Sequence, residues 1–313
     1  MRRSNSTTLQ GTPGGNEPAK AVFVLGMHRS GTSALTRVLN LLGMELGPDL
    51  LPAQPGNNEH GFWEPREIVR LNRRALAALG YSWFDVRAMP PRWIEQAPVQ
   101  KINSEIRTAA RRLFGSVPLW GVKDPRMCRL FPLWRRAIAQ LGCEPFCVLM
   151  IRDPDEVARS LHARDRMGAG RSHLLWLRHV TEAEIASRGL TRVVVTFDEL
   201  LADWRSAVAK IESAFGWRFP RSRDDAAAEV EAFLDAEPPG SARGRAPLGP
   251  AAASVPWVAQ VHSACLRASR GSDITADAGY AAAIDALAAA EPVFEPLLAE
   301  LARRSDSRFS AGR

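Results

Sequence analysis

The sequence predicts an α/β fold: a central parallel sheet flanked by helices in three layers, with a helical C-terminal part. Three observations carry this. Apolar runs of strand length occur at 22–26, 118–123, 147–152 and 192–196. Between them, apolar residues recur every three or four positions, which predicts helices over 65–79, 97–114, 127–141, 154–165, 172–188 and 204–215. Strands and helices therefore alternate, and the connections are long enough to be helical crossovers, as parallel pairing requires.

In chain order, residues 1–19 are rich in Ser, Thr, Gly, Pro and Asn and read as a disordered tail. Residues 20–313 read as a single domain, since 46% apolar residues supply an ample core. Its first strand breaks at Gly26-Met-His28-Arg29-Ser30-Gly31-Thr32-Ser33 and continues as a helix from Ala34 to Gly43. Glycines at both ends let the backbone curl so that several N–H groups converge, and the positive end of the helix adds its partial charge at the same point. That is a cradle for an anion; without a ligand it would be a close-packed strand-to-helix turn. Gly47 to Glu64 follows as a long loop containing Asn57-Asn-Glu59-His60-Gly-Phe-Trp-Glu64, and such loops over a rigid scaffold commonly carry function. Residues 236–256 are rich in Pro, Gly and Ala and read as a flexible loop bearing Arg243 and Arg245. Alanine-rich helices over 257–304 close the chain.

The cradle departs from that of nucleotide triphosphatases, G-x-x-x-x-G-K-[ST], in which the lysine reaches the β- and γ-phosphates and the hydroxyl holds magnesium. Here Thr32 stands at the lysine position and the cation, Arg29, has moved inside the loop. Such a loop suits one tetrahedral anion on a donor with a single activated anhydride. A second anion site follows at Cys147-Val-Leu-Met-Ile-Arg152-Asp-Pro, where an apolar strand ends at Arg152, Pro154 opens a helix and Ser160 lies about two turns on. Arg152 then sits in the crevice at the carboxyl ends of the strands, where open α/β sheets bind ligands.

On these residues the chain resembles the sulfotransferases of P-loop fold that use 3′-phosphoadenosine 5′-phosphosulfate (PAPS), over roughly residues 20–220. The resemblance implies that Gly26, His28, Arg29, Ser30, Gly31, Thr32 and Ser33 form the 5′-phosphosulfate loop, although a histidine in such a loop is often incidental. It implies that Arg152 and Ser160 take the 3′-phosphate. Trp120-Gly-Val-Lys123-Asp124-Pro125-Arg126 is similar to a segment of tyrosylprotein sulfotransferases, which implies that Lys123 stabilises charge at the sulfuryl group; a solvated lysine capping a strand is the plain alternative. Asp124 would hold Lys123 or cap the next helix. The segment Arg192 to Asp203 is similar to family scaffold, and Arg243 and Arg245 stand where related enzymes have a basic flap, without its flanking residues. The implied enzyme is a PAPS-dependent sulfotransferase of bacterial carbohydrate type. It needs no metal and takes a hydroxyl on a small molecule, carbohydrate or glycolipid as acceptor. Its catalytic residues would be Glu64, Arg29 and Lys123. Glu64 is favoured as base because two preceding aromatics would desolvate it; Glu59 and His60 are the other candidates, and Glu64 could instead cap the helix after it.

Composition limits the remaining classes. A net charge of +7 invites a nucleic-acid reading, but the pairs Arg73-Arg74, Arg111-Arg112, Arg135-Arg136 and Arg303-Arg304 are scattered on predicted helices without interleaved aromatics. A polyanionic donor is drawn by the same field. No run approaches about eighteen uninterrupted apolar residues, and the amino terminus lacks an apolar stretch, so the expectation is a cytoplasmic chain. Cys128, Cys143, Cys147 and Cys265 show no metal spacing and read as reduced packing residues. His162, His173 and His179 read as surface or packing residues and Trp176 as core, whereas Trp83 and Trp93 suit either the core or an acceptor pocket. A small-molecule or nucleotide kinase, separable by magnesium dependence, and a non-catalytic anion-binding module are the competing functions.

Overall fold

The computed structural model describes residues 18–55, 57–236 and 256–309, with side chains to residue 300. The expected tail (1–19) and flexible loop (236–256, with Arg243 and Arg245) lie outside the described residues except at their ends. Four strands, β1 (Lys20–Leu25), β2 (Leu119–Lys123), β3 (Glu144–Ile151) and β4 (Thr191–Thr196), form one parallel sheet in the order β2-β1-β3-β4. The first strand is thus one of the two inner ones, and the chain leaves it toward β2 on one side before returning to β3 on the other.

Alternation along each strand builds two cores. Phe23 and Leu25 of β1 face the same way as Trp120 and Val122 of β2, Leu149 and Ile151 of β3, and Val194 of β4. This face is covered by α2 (Arg66–Ala78), α3 (Ala97–Phe114), α4 (Met127–Ala139), α5 (Pro154–Asp165) and α6 (Ala169–Ser187), and by the C-terminal α10 (Pro256–Ser269) and α11 (Ala278–Phe309). Val22, Val24, Val148, Met150 and Val195 point the other way, under α1 (Thr32–Leu41), α7 (Phe197–Ala202), α8 (Trp204–Phe215) and α9 (Ala227–Ala236). Leu35, Val38 and Leu39 of α1 are fully buried there. At about 1.5–3 kcal/mol each, their burial pins the helix that follows the cradle.

The predicted helices are present with small shifts at their ends. The first begins at Thr32 rather than Ala34, because Gly31 adopts φ 82° and starts the helix directly. α6 begins three residues before the expected 172, after an extended Gly168. The helix α9 has no counterpart in the sequence expectation. Val230 is its only fully buried residue, with Ala227, Phe233 and Leu234 packed half-buried beside it.

Candidate active site

All four strands deliver a residue or loop to the same edge. β1 ends in the cradle Gly26–Ser33, β2 in Lys123, β3 runs into Arg152 and β4 into Phe197. Register fixes their levels: Val24 pairs with Lys123, and Ile151 pairs with Thr196. A cavity of about 660 Å³ opens over this edge and is lined by the cradle, Lys123, Arg152, Phe197 and the loop 51–64.

Two glycines shape the cradle. A Cβ on Gly26 would lie 2.7 Å from the Met150 carbonyl oxygen, so only glycine lets the end of β1 pass β3. A Cβ on Gly31 would lie 2.1 Å from the Phe197 ring, and its φ of 82° is itself a glycine conformation. Arg29 takes φ 70° without being glycine, backbone strain of the kind stored at functional sites. No side chain caps α1 and no acid stands in its first turn, so its positive end faces the cradle uncompensated. The Ser30 hydroxyl is buried and has no hydrogen-bond partner among the described residues.

The two anion motifs, far apart in the chain, meet here. Arg29 Nε donates to Ser160 Oγ at 2.7 Å, and Arg152 Nη1 donates to the Arg29 carbonyl at 3.1 Å. Arg152 also pairs with Glu156 at 2.8 Å and lies over the Phe197 ring at 4.6 Å. The Arg29 guanidinium reaches across to the long loop as well, donating to Asn57 O at 2.8 Å and Asn58 Oδ1 at 3.2 Å.

Lys123 and Glu64 form the buried centre of the site. The Lys123 ammonium, 1% exposed, donates to Glu64 Oε1 at 2.6 Å and to Ser33 Oγ at 2.9 Å, tying the long loop to the cradle. Glu64 makes no cap bond to α2. Burial pushes its carboxyl above the ordinary carboxylate range; Lys123 opposes that shift and Asp124 reinforces it. Asp124 does not bond to Lys123. Its Oδ1 accepts from Arg126, backbone and side chain, and its Oδ2 from Asn72, which in turn accepts from Trp134 Nε1.

The other candidates separate in space. Glu59 is an exposed cavity-lining residue, and His60 meets the Phe233 ring edge-on, centroids 6.3 Å apart. His28 lines the cavity and packs against Trp83 at 4.5 Å between centroids, while Trp93 belongs to the core. Burial, then the charges of Arg126 and Arg164, hold the His28 imidazole well below its ordinary value. His173 and His179 are buried, the first on Asp155 and the second on the Leu175 carbonyl, and Trp176 is core. Sequence reasoning missed Asn57 and Asn58 as partners of Arg29. It also missed Arg164 as a cavity residue; Arg73, placed on a solvated face, is exposed there and lines the cavity as well, and Arg126 of the Lys123 segment lines it half-buried. An Asn-Asn pair in a long loop was the only signal available for the first.

No known family profile matches the chain, and no curated protein matches it by sequence. Among solved structures it is similar to the sulfotransferase domain of the Synechococcus PCC 7002 olefin synthase, at 18% identity and TM-score 0.41, over 74% of this chain and 81% of that one. It is similar to the sulfotransferase domain from the curacin biosynthetic pathway at 14% and 0.39, over 64% and 75%. Sulfotransferase STF1 from Mycobacterium tuberculosis H37Rv follows at 16% and 0.35, over 70% and 77%. Likenesses this distant assign neither family nor activity, and the functional reading rests on the site itself. Among the described residues no helix is long and apolar enough to cross a membrane, and no group of three or more His, Cys, Asp or Glu is placed to hold a metal.

Proposed function

We propose that the protein is a sulfotransferase that moves a sulfuryl group from PAPS to a hydroxyl of a small-molecule, carbohydrate or glycolipid acceptor, with residues 20–313 as its catalytic domain. The observation that carries the reading is the Lys123 bridge. One buried ammonium touches both a cradle hydroxyl, Ser33, and a carboxylate whose pKa is raised, Glu64. A transfer site needs that juxtaposition of charge stabiliser and base; a passive anion cradle does not. Free thiols at Cys128, Cys147 and Cys265, all buried, support a reducing, cytoplasmic setting.

The residues present fit the donor. The unpartnered Ser30 hydroxyl, the uncapped start of α1 and the Gly31 position, where a Cβ would strike Phe197, suit a tetrahedral anion held by backbone and hydroxyl donors. Gly26, His28, Arg29, Ser30, Gly31, Thr32 and Ser33 would hold the 5′ end, and Arg152 with Ser160 the 3′-phosphate. When bound, the donor supplies an activated sulfuryl group on a phosphate leaving group. Glu64 takes the proton from the acceptor hydroxyl at a carboxylate oxygen. The acceptor oxygen forms its bond to sulfur as the bridging S–O bond breaks. Lys123 and Arg29 then meet the charge that collects on the departing phosphate.

Calorimetric titration tests this reading, with 3′-phosphoadenosine 5′-phosphate (PAP) compared with magnesium–ATP at fixed salt. Tight PAP binding that is lost in Arg152→Ala, with weak ATP binding, is expected. Preference for magnesium–ATP would replace the sulfotransferase with a kinase.

A further inference from the structure

Beyond the donor residues and the Lys123–Glu64 pair, the cavity carries a second group of cations. Arg73 comes from α2, Arg126 from the turn before α4 and Arg164 from the last turn of α5. The Arg164 guanidinium lies over Trp83 at 5.2 Å, His28 packs on the same indole, and the charges of Arg126 and Arg164 both bear on His28. Arg126, Arg164, Trp83 and His28 form one cluster, which adjoins the cradle through His28, and Arg73 lines the same cavity. Their counter-charge is incomplete. Arg164 has Asp165, at 2.5 Å, and Arg126 has Asp124, whose other oxygen is already taken by Asn72. Arg73 has no hydrogen-bond or ion-pair partner among the described residues, although the ordered Asn72 beside it sets its place on the helix. The His28 Nε2 is covered and has no hydrogen-bond partner among the described residues.

A neutral alcohol needs none of this. Guanidinium groups with spare donors, half-buried at Arg126 and Arg164 and exposed at Arg73, are suited to carboxylate and phosphate oxygens, which their fork geometry matches. We propose that the acceptor is itself an anion. The hydroxyl to be sulfated sits on a molecule that already bears a phosphate, sulfate or carboxylate, held by Arg73, Arg126 and Arg164 while Trp83 bears against its carbon skeleton. This rests on the sulfotransferase reading for the word acceptor, but the anion subsite itself does not.

The experiment therefore separates the two. The full chain is titrated with PAP, and the PAP-saturated protein is then titrated with inorganic phosphate and, in parallel, with acetate, which distinguishes a tetrahedral from a planar anion. The same series is run on Arg73→Gln, Arg164→Gln and the double variant. We expect the loaded protein to bind one further anion, at least tenfold more weakly in the double variant, with PAP affinity retained as proof that the variant is folded. Binding of neither anion overturns the proposal. So does anion binding that is unchanged in all three variants, because the ion then occupies the sulfuryl position of the cradle. If PAP itself fails to bind while phosphate binding still depends on Arg73 and Arg164, the sulfotransferase reading falls and the anion subsite stands.

Discussion

At one end of the cavity, eight consecutive residues, Gly26 to Ser33, bring backbone amides, hydroxyls and a guanidinium to one point. At the other, Arg73, Arg126 and Arg164 arrive singly from three helical segments. The first end is shaped by local conformation: a positive φ at Arg29 and Gly31, and an uncapped helix start. The second exists only because α2, α4 and α5 pack on the same face of the sheet. A locally built site should be broken by single backbone changes, whereas a site assembled by packing should weaken stepwise as its side chains are removed.

The largest effects should fall between the two ends. Glu64→Gln keeps a carbonyl for Lys123 and should spare PAP affinity while lowering turnover by about 10²–10⁴-fold, as loss of a general base does. Lys123→Met should cost about 10²–10³-fold. It should also move the acid limb of the remaining pH–rate profile to higher pH, because Lys123 holds the Glu64 pKa down against burial and its loss lets that pKa rise. An unshifted limb would show that Glu64 is not the titrating base.

Next in size is Gly31→Ala, which tests the local end alone. The new methyl has no room beside Phe197 and the φ of 82° disfavours it, so about 1–3 kcal/mol of stability and most PAP affinity should go. Inorganic phosphate binding that depends on Arg73 and Arg164 should survive. Its loss would show that the two ends are one site.

The smallest effect concerns two buried histidines, His28 of the cradle and His179, whose ring centroids lie 6.1 Å apart. Burial holds His28 well below 6.5 and takes His179 to about 3, so both stay neutral in the folded protein at pH values where the unfolded chain is protonated. Their folded pKa values are depressed, so the unfolded chain binds more protons and stability is lost as pH falls below about 6.5 toward those values. Denaturant melts from pH 7 to 4 should show this, and His179→Gln should flatten the slope. An equal slope in wild type and variant would exclude His179 as a source.

This contrast also explains what the sequence could reveal. The cradle, Arg152 with Ser160, and Lys123 at the end of an apolar strand were legible because each is a short pattern tied to a strand end. The choice among Glu59, His60 and Glu64 was not, since it depends on how a long loop folds back. Trp63 turns at φ 56°, Glu64 enters the interior on Lys123, and His60 is left against Phe233. Arg73 read as a solvated face because the pair Arg73-Arg74 stands beside alanine and leucine on a predicted helix, and it is exposed there. Its place at the cavity comes from α2 being fixed through Asn72 to Asp124, 52 residues away.

The Lys123–Glu64 pair, sealed at 1% and 4% exposure, imposes a final condition. As a unit it is electroneutral. A proton gained by Glu64 leaves the unit with a net positive charge in a place where isolated charge is costly. The same ammonium touches Ser33 of the cradle, so negative charge forming on a donor held there would lie within its reach. In the proposed reaction, deprotonation of the acceptor and departure of the phosphate would then be coupled through the charge balance of a single lysine.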